Sequence, residues 1–423
     1  MPTEPPGRRG FRLLWLGDTI NALGTSVTVF VLPVIAVTSL HATVFQAGLL
    51  ATARWLPALL IGLPSGAWIE RSEKRLVLLA CDAISCAVMA AIPLLAAFAT
   101  LQLAELYVVV VIAGSLTTVF NTAYTPYFSA VLTPGEYRSG MSRIVAARTA
   151  AQLCGPSVGG VLATLYRPPT AVLVDVGSFA VSFLCLSLLP RLRPLAVRPG
   201  RPSIVRDIRD GISYLRRDPY LSRLTAAAAA QNLLSISFGS IEVVFLLESV
   251  HSTPRIAGYL LAPGALGSII GAATVPRVAR FFGDGRAIRA YMLVLLPLST
   301  LICLTEPGTG YAFFIVGELA MAVALTGFNV IVMAFRQVRV PAFMLARVSA
   351  TMQVCLTSTM PLGGILGGAL AEAIGVRNAL WVILPCMALP GLTLLSGPFK
   401  NLRELPKEAV SPLQLLATEG STN

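Results

Sequence analysis

Residues 45–75 read FQAGLLATARWLPALLIGLPSGAWI followed by ERSEKR. The first part is an apolar run broken by one charge, Arg54, and as a helix rising ~1.5 Å per residue it is long enough to cross ~30 Å of hydrocarbon. The second part is a short polar gap that carries Arg71, Lys74 and Arg75. The same alternation recurs in both directions. Twelve such runs cover 11–38, 45–69, 76–99, 103–132, 143–165, 169–190, 221–248, 256–279, 288–305, 309–335, 345–371 and 376–398. Of the 32 Lys and Arg residues, 27 fall at the two ends or in every second gap, nine of them between Arg191 and Arg223. The intervening gaps hold only Arg167, Arg255 and Arg377, and Arg54 and Arg148 lie inside runs. Basic residues are retained on the cytoplasmic side of a membrane. The pattern therefore predicts a multi-pass protein of the cell membrane with twelve crossings and both termini cytoplasmic.

Composition agrees, with 55% apolar residues, 12% charged residues and a mean hydropathy of +0.76. Soluble domains carry about 25% charged residues. The net charge of +12 is spread over the loops that would face anionic headgroups, with no basic face or interleaved aromatics, so no nucleic-acid partner is expected. Run 1 follows basic residues as a signal peptide does, but it is too long and lacks a small-residue cleavage site, so it is expected to stay. Seven cysteines all fall inside runs, with no C-x-x-C pair and only His41 and His251 as imidazoles. They read as packing residues, and neither a metal site nor a cofactor is expected.

The chain also repeats itself at an offset of about 205 residues. Phe120-Asn121 corresponds to Phe328-Asn329, Pro134 to Pro341, and Arg143 to Arg347; Pro156 with Gly159 and Gly160 answers Pro361 with Gly363 and Gly364. A direct repeat separated by an even number of crossings gives two halves of the same orientation. The expected organisation is a six-helix bundle over 1–190, a cytoplasmic linker over 191–220, a second six-helix bundle over 221–400 and a cytoplasmic tail over 401–423. Within the linker, Ser203–Arg217 has the amphipathic pattern of a short surface helix.

Gly62-Leu-Pro-Ser-Gly66-Ala-Trp-Ile-Glu70-Arg71-Ser-Glu-Lys74-Arg75 resembles the loop signature of the major facilitator superfamily, with Glu70 where Asp is usual and Ser72-Glu73 where the family has a Gly. The resemblance implies the major facilitator fold and a conformational latch. In that latch Gly66 admits a close neighbour, Glu70 caps a facing helix, and Arg71 and Arg75 pair across the boundary between halves. On run 5, Ala151-Gln-Leu-Cys-Gly155-Pro156-Ser-Val-Gly159-Gly160 resembles the antiporter signature of drug-exporting branches, with Ala151 replacing the first Gly. There Pro156 is expected to kink the helix, and Gly155 and Gly159 to bring it against the second half. Phe11-Arg-Leu-Leu-Trp-Leu-Gly, Arg54-Trp-Leu-Pro57, Asp175-Val-Gly-Ser-Phe and Arg347-Val are similar to the branch of enterobactin exporters and macrolide efflux proteins.

Charged groups inside a bilayer cost at least ~2.5–3.5 kcal/mol, so each needs a reason. Asp18, with Asn21 on its face, Arg54, Arg148, Glu242 and Glu318 are the candidates. By the resemblance they line or flank a central cavity. An acid among Asp18, Glu242 and Glu318 would be a protonation site, Glu318 first. For Asp18, a fixed ion pair with an arginine competes equally. Asp82 and Asp175 are expected to be satisfied structural acids on peripheral helices. No Gly-x-x-x-x-Gly-Lys-Ser/Thr loop occurs, so ATP does not drive the protein through one, and no nucleophile constellation argues for an enzyme. The expected function is proton-coupled efflux of a small amphipathic compound, an antibiotic or secreted metabolite, by a monomer. A lysophospholipid or nutrient carrier is the alternative within transport, and a non-transporting membrane sensor the alternative outside it.

Overall fold

The computed structural model describes residues 6–132, 134–189, 204–395, 399, 402 and 404, and these form helices and short connections with no strand among them. In chain order the helices are α1 (Pro6–Val34), α2 (Val44–Arg71), α3 (Lys74–Ala97), α4 (Leu103–Val131), α5 (Pro134–Leu165) and α6 (Leu173–Ser187). Then come α7 (Ile204–Arg217), α8 (Pro219–Val244), α9 (Pro254–Phe282), α10 (Asp284–Ala290, continued by π and 3-10 turns to Leu304), α11 (Tyr311–Arg339), α12 (Ala342–Ile374) and α13 (Val376–Cys386). The all-α architecture expected from the runs is present. Eleven helices among the described residues are long and apolar enough to cross a membrane. The remaining long one is α5, which carries Arg148, Gln152 and five glycines; it packs against α1 and α9 in the interior of the bundle.

Local chemistry sets the helix starts. Thr43 and Gln46 close a reciprocal capping box at the start of α2. Asp218 accepts from the amides of Tyr220 and Leu221 to cap α8, and Thr253 caps α9; Pro219 and Pro254 then occupy first-turn positions where no amide donor is needed.

The repeat is visible in the packing. In the first six helices α1 lies against α5 and α6, α2 against α4, and α3 against α4 and α6. In the last six, α8 lies against α12 and α13, α9 against α11, and α10 against α11 and α13. Two seams join the halves, α5 with α9 and α12 with α2, and each is built on glycine. At Gly160 a Cβ would strike the Pro254 carbonyl and Gly258; at Gly364 it would strike the Gly48 carbonyl and Thr52. The Ser157 hydroxyl donates to the Gly258 carbonyl (3.2 Å), Thr52 Oγ1 donates to the Pro361 carbonyl (2.9 Å), and the Phe45 amide donates to Glu372 Oε2 (3.1 Å). Both seams sit towards the helix ends that are poor in Lys and Arg, so the bundle is closed there.

At the basic ends α7 lies along α12. The Asp210 carboxylate meets Arg347 at 3.3 Å, and the α8 cap Asp218 holds buried Arg339 at 2.8 Å. The stretch read as amphipathic is thus a helix from Ile204. The rest of the linker, 191–203, and the tail from 405 lie outside the described residues.

Candidate functional site

A cavity of about 480 Å³ lies among α1–α5, lined by Asp18, Asn21, Thr25, Arg54, Asp82, Asn121, Arg148, Gln152 and neighbours. A second, of about 360 Å³, lies between the halves and is mostly apolar, with Phe30, Leu50, Trp55, Val110, Ile236, Val243 and Leu261 around Glu242. Ser26, Val29, Arg54 and Pro156 line both, so the two spaces meet there.

Arg148 on α5 closes a two-point ion pair with Asp18 on α1, Nε to Oδ2 at 3.0 Å and Nη2 to Oδ1 at 2.6 Å. The same guanidinium lies over the Tyr124 ring, 5.4 Å from its centroid. Two parallel N–H···O bonds fix both helices as well as neutralising both charges. Of the two roles weighed for Asp18, the geometry is that of the lock. Asn21 lies one turn on, where its Oδ1 accepts from Thr25 (3.3 Å).

Among the described residues, the second half holds two acids inside its spans with no ion pair. Glu242 on α8 and Glu318 on α11 lie close enough for their carboxyls to interact directly, and Glu318 Oε1 fills the space a Cβ at Gly264 of α9 would take. Two bare carboxylates in such contact repel, so a hydrogen bond between them requires a shared proton. Glu318 Oε2 and Glu242 Oε1 are buried with no hydrogen-bond partner. Both residues sit seven positions from the basic-poor end of their spans, Ser249 and Tyr311, which is ~10 Å at ~1.5 Å per residue.

Asp175 is satisfied as expected: its carboxylate accepts from Thr25 (3.4 Å) and Ser178 (3.1 Å). Asp82 departs from expectation. It is 1% exposed and lines the first cavity, and neither carboxylate oxygen has a hydrogen-bond partner, although the Ser182 hydroxyl faces it from α6. Periodicity placed it on a peripheral helix but could not show that α3 turns this residue inward.

The glycine motifs need correction. Gly155 packs on Ser26 of α1, and Gly159 on Val27 and Phe30 of α1, all in the same half; Gly160 and the Pro156 carbonyl make the contact with the second half at Gly258. In the last turns of α2 a Cβ at Gly62 would meet only the Thr118 methyl at 4.0 Å, and a Cβ at Gly66 would meet nothing within 4 Å. Arg75 donates to the carbonyls of Leu186 (3.1 Å) and Ser187 (2.5 Å) at the end of α6, within its own half instead of across the boundary. Lys74 opens α3. The side chains of Glu70 and Arg71 lie outside the described residues. Tyr124, Gln152 and Trp55 were not singled out from sequence. Gln152 stands one turn beyond Arg148 and Tyr124 one turn beyond Asn121, which is the signal that i, i+3 and i+4 spacing offered.

Two six-helix halves of one orientation, joined by glycine seams around a central cavity, define a multi-pass membrane transporter. The chain belongs to the Major Facilitator Superfamily, which it matches over residues 14–363. It is 24% identical over 410 residues to the uncharacterized MFS-type transporter YfiS of Bacillus subtilis (strain 168), covering 92% of this chain and 93% of that one. It is 24% identical over 415 residues to the multidrug efflux pump Tap of Mycolicibacterium fortuitum, with 94% and 98% covered. It is 19% identical over 400 residues to macrolide efflux protein A of Streptococcus pyogenes, with 93% and 97% covered. Among solved structures, the nucleoside transporter NupG shares the fold at a TM-score of 0.75 and 13% identity, over 91% of this chain and 98% of that one.

Proposed function

We propose that this transporter is a monomeric secondary carrier of the cell membrane that expels a small amphipathic compound by alternating access, in exchange for protons. The carrying observation is the Glu242–Glu318 pair, two carboxyls that meet on α8 and α11 with buried oxygens and no counterion among the described residues, one of them lining the cavity between halves. Such a pair holds one proton in this arrangement, and opening the basic-poor seams would let water in to exchange it. The efflux proteins among the relatives support the direction of transport. The two seams support alternating access, because each is a contact of backbone on backbone that parts or closes as a unit.

The test is flux in proteoliposomes with an imposed pH gradient, screening a panel of antibiotics with erythromycin among them, and reading internal pH with a trapped dye. Wild type should accumulate at least one compound against its gradient and move protons the other way. Glu318→Gln and Glu242→Gln should lose gradient-driven accumulation yet keep equilibrium exchange. Accumulation that survives in both variants would rule out coupling through this pair. The proposed topology is tested separately, since cysteine labelling in intact cells should reach Thr253 from outside and Ser203 and Asn423 only after permeabilisation. Labelling of position 203 from outside would overturn the orientation.

A further inference from the structure

Among the described residues Arg54 has no ion pair and no side-chain hydrogen bond, although it lies in the middle of α2, ten residues from its start at Val44. The other arginine inside a run, Arg148, is held by Asp18. Asp175 is the acid whose charge Arg54 feels, but Asp175 is 1% exposed, does not line either cavity and accepts at Oδ1 from the hydroxyls of Thr25 and Ser178. Asp82 has no hydrogen bond to Arg54 and is closed off at 1% exposure. The Arg54 guanidinium lies over the ring of its neighbour Trp55, 6.0 Å from the ring centroid.

A guanidinium has five N–H donors in a planar fork that fits carboxylate, sulfonate or phosphate oxygens. Leaving it unpaired at mid-membrane is costly unless a ligand or water takes those donors. Arg54 is partly exposed, and the surface it exposes is the wall of both cavities at the point where they meet. On one side are the side-chain amides of Asn21, Asn121 and Gln152; on the other is the apolar space by Trp55, Ile236 and Leu261. The apolar space, at about 360 Å³, falls within the ~300–1,000 Å³ of small-molecule sites. Of the acids lining these cavities, Asp18 is neutralised by Arg148, Asp82 is 1% exposed, and under the coupling proposed above the Glu242–Glu318 pair carries a proton.

We infer that Arg54 is the anchor for an anionic group of the substrate, so that the transported compound is an amphipathic anion whose apolar part fills the cavity between the halves. This rests on the transport reading above and narrows its substrate class to acids, in place of amine-bearing or neutral compounds.

The experiment is equilibrium binding to the full chain in nanodiscs by isothermal titration calorimetry, with no gradient present. The probes are 2-naphthoate, 2-naphthylmethylamine and 2-naphthalenemethanol, matched in ring and differing in charge. Wild type should bind the carboxylate about tenfold or more tighter than the alcohol, the order expected of one charge-assisted bidentate contact, and should bind the amine no better than the alcohol. Arg54→Gln should lose the carboxylate's advantage and Arg54→Lys should keep part of it. If Arg54→Gln does not fold, the ranking of the three probes on wild type still decides. Amine or alcohol binding as tight as the carboxylate, no binding of the carboxylate, or an unchanged advantage in folded Arg54→Gln would overturn the inference. Because no proton gradient enters, failure of proton coupling would show only in the flux assay, and failure of the anion site only here.

Discussion

The two halves of this transporter share a backbone plan and differ in how they carry charge through the membrane. In the first half Asp18 and Arg148 neutralise each other with two hydrogen bonds across α1 and α5. In the second, Glu242 and Glu318 face each other across α8 and α11 with no cation. The offset that aligns Phe120 with Phe328 puts Val110 opposite Glu318, and the one that aligns Pro156 with Pro361 puts Gln353 opposite Arg148. Neither charge has a charged counterpart. A duplicated frame thus holds an ion pair closed by two hydrogen bonds in one half and, in the proposed mechanism, a group that takes up a proton in the other. An ion pair resists a change of protonation because both charges stabilise each other, whereas a carboxyl pair depends on a proton for its contact.

Thermal unfolding of the full chain in nanodiscs can break this contrast. Asp18→Asn leaves Arg148 without its partner and should cost about 2–3 kcal/mol. That is below the ~3–5 of a fully buried pair, because the Arg148 side chain is 41% exposed to the cavity. Adding Arg148→Gln should recover about half of it. If the double variant is as unstable as the sum of both singles, the clasp is not a coupled unit.

A somewhat smaller effect is expected at the seams. Gly160→Ala and Gly364→Ala each push a Cβ into backbone of the opposite half, which should cost about 1–3 kcal/mol in the closed-seam arrangement. The two should behave alike, and spin-label distances across the basic-poor ends should lengthen in both. A response from one seam alone would show that the pseudo-symmetry is not mechanical.

Glu318→Gln should be nearly neutral for stability, within about 1 kcal/mol, because a Gln amide can donate to Glu242 where the shared proton did. A loss as large as that of Asp18→Asn would make the acid pair a structural element and erase the contrast between halves.

The smallest expected change is at Gly66. A Cβ there meets open space, so Gly66→Ala should stabilise the protein by about 0.5–1 kcal/mol through helix propensity. Transport should nevertheless fall if the reverse arrangement brings a neighbour against that face, as the loop motif implies. Unchanged transport in this variant would confine the motif to setting topology.

Glu70-Arg71 and Gly155-Pro156-x-x-Gly159-Gly160 were legible as motifs, yet the partner of each glycine was not. Spacing alone could not tell that Gly155 and Gly159 face α1 while Gly160 faces α9, because the helix period gives the angles between these positions, ~40° and ~100°, and not the direction of any of them. The acids and arginines inside the membrane were all identifiable by their cost in hydrocarbon. Which acid met which base was not.

The sequence by itself determined the crossings, their alternation of basic and apolar faces, the internal repeat and the family. These follow from hydrophobic length, loop charge and residue identity, which are local properties. Tertiary structure alone decided that, among the described residues, Arg148 is paired and Arg54 is not, that Glu242 meets Glu318, and that Asp82 faces inward onto the first cavity. Those outcomes depend on helix rotation and on contacts between residues far apart in the chain, such as the 130 positions separating Asp18 from Arg148. A helix rotation of about 100°, one residue of phase, would exchange lock for free charge, and nothing in the local pattern sets that phase.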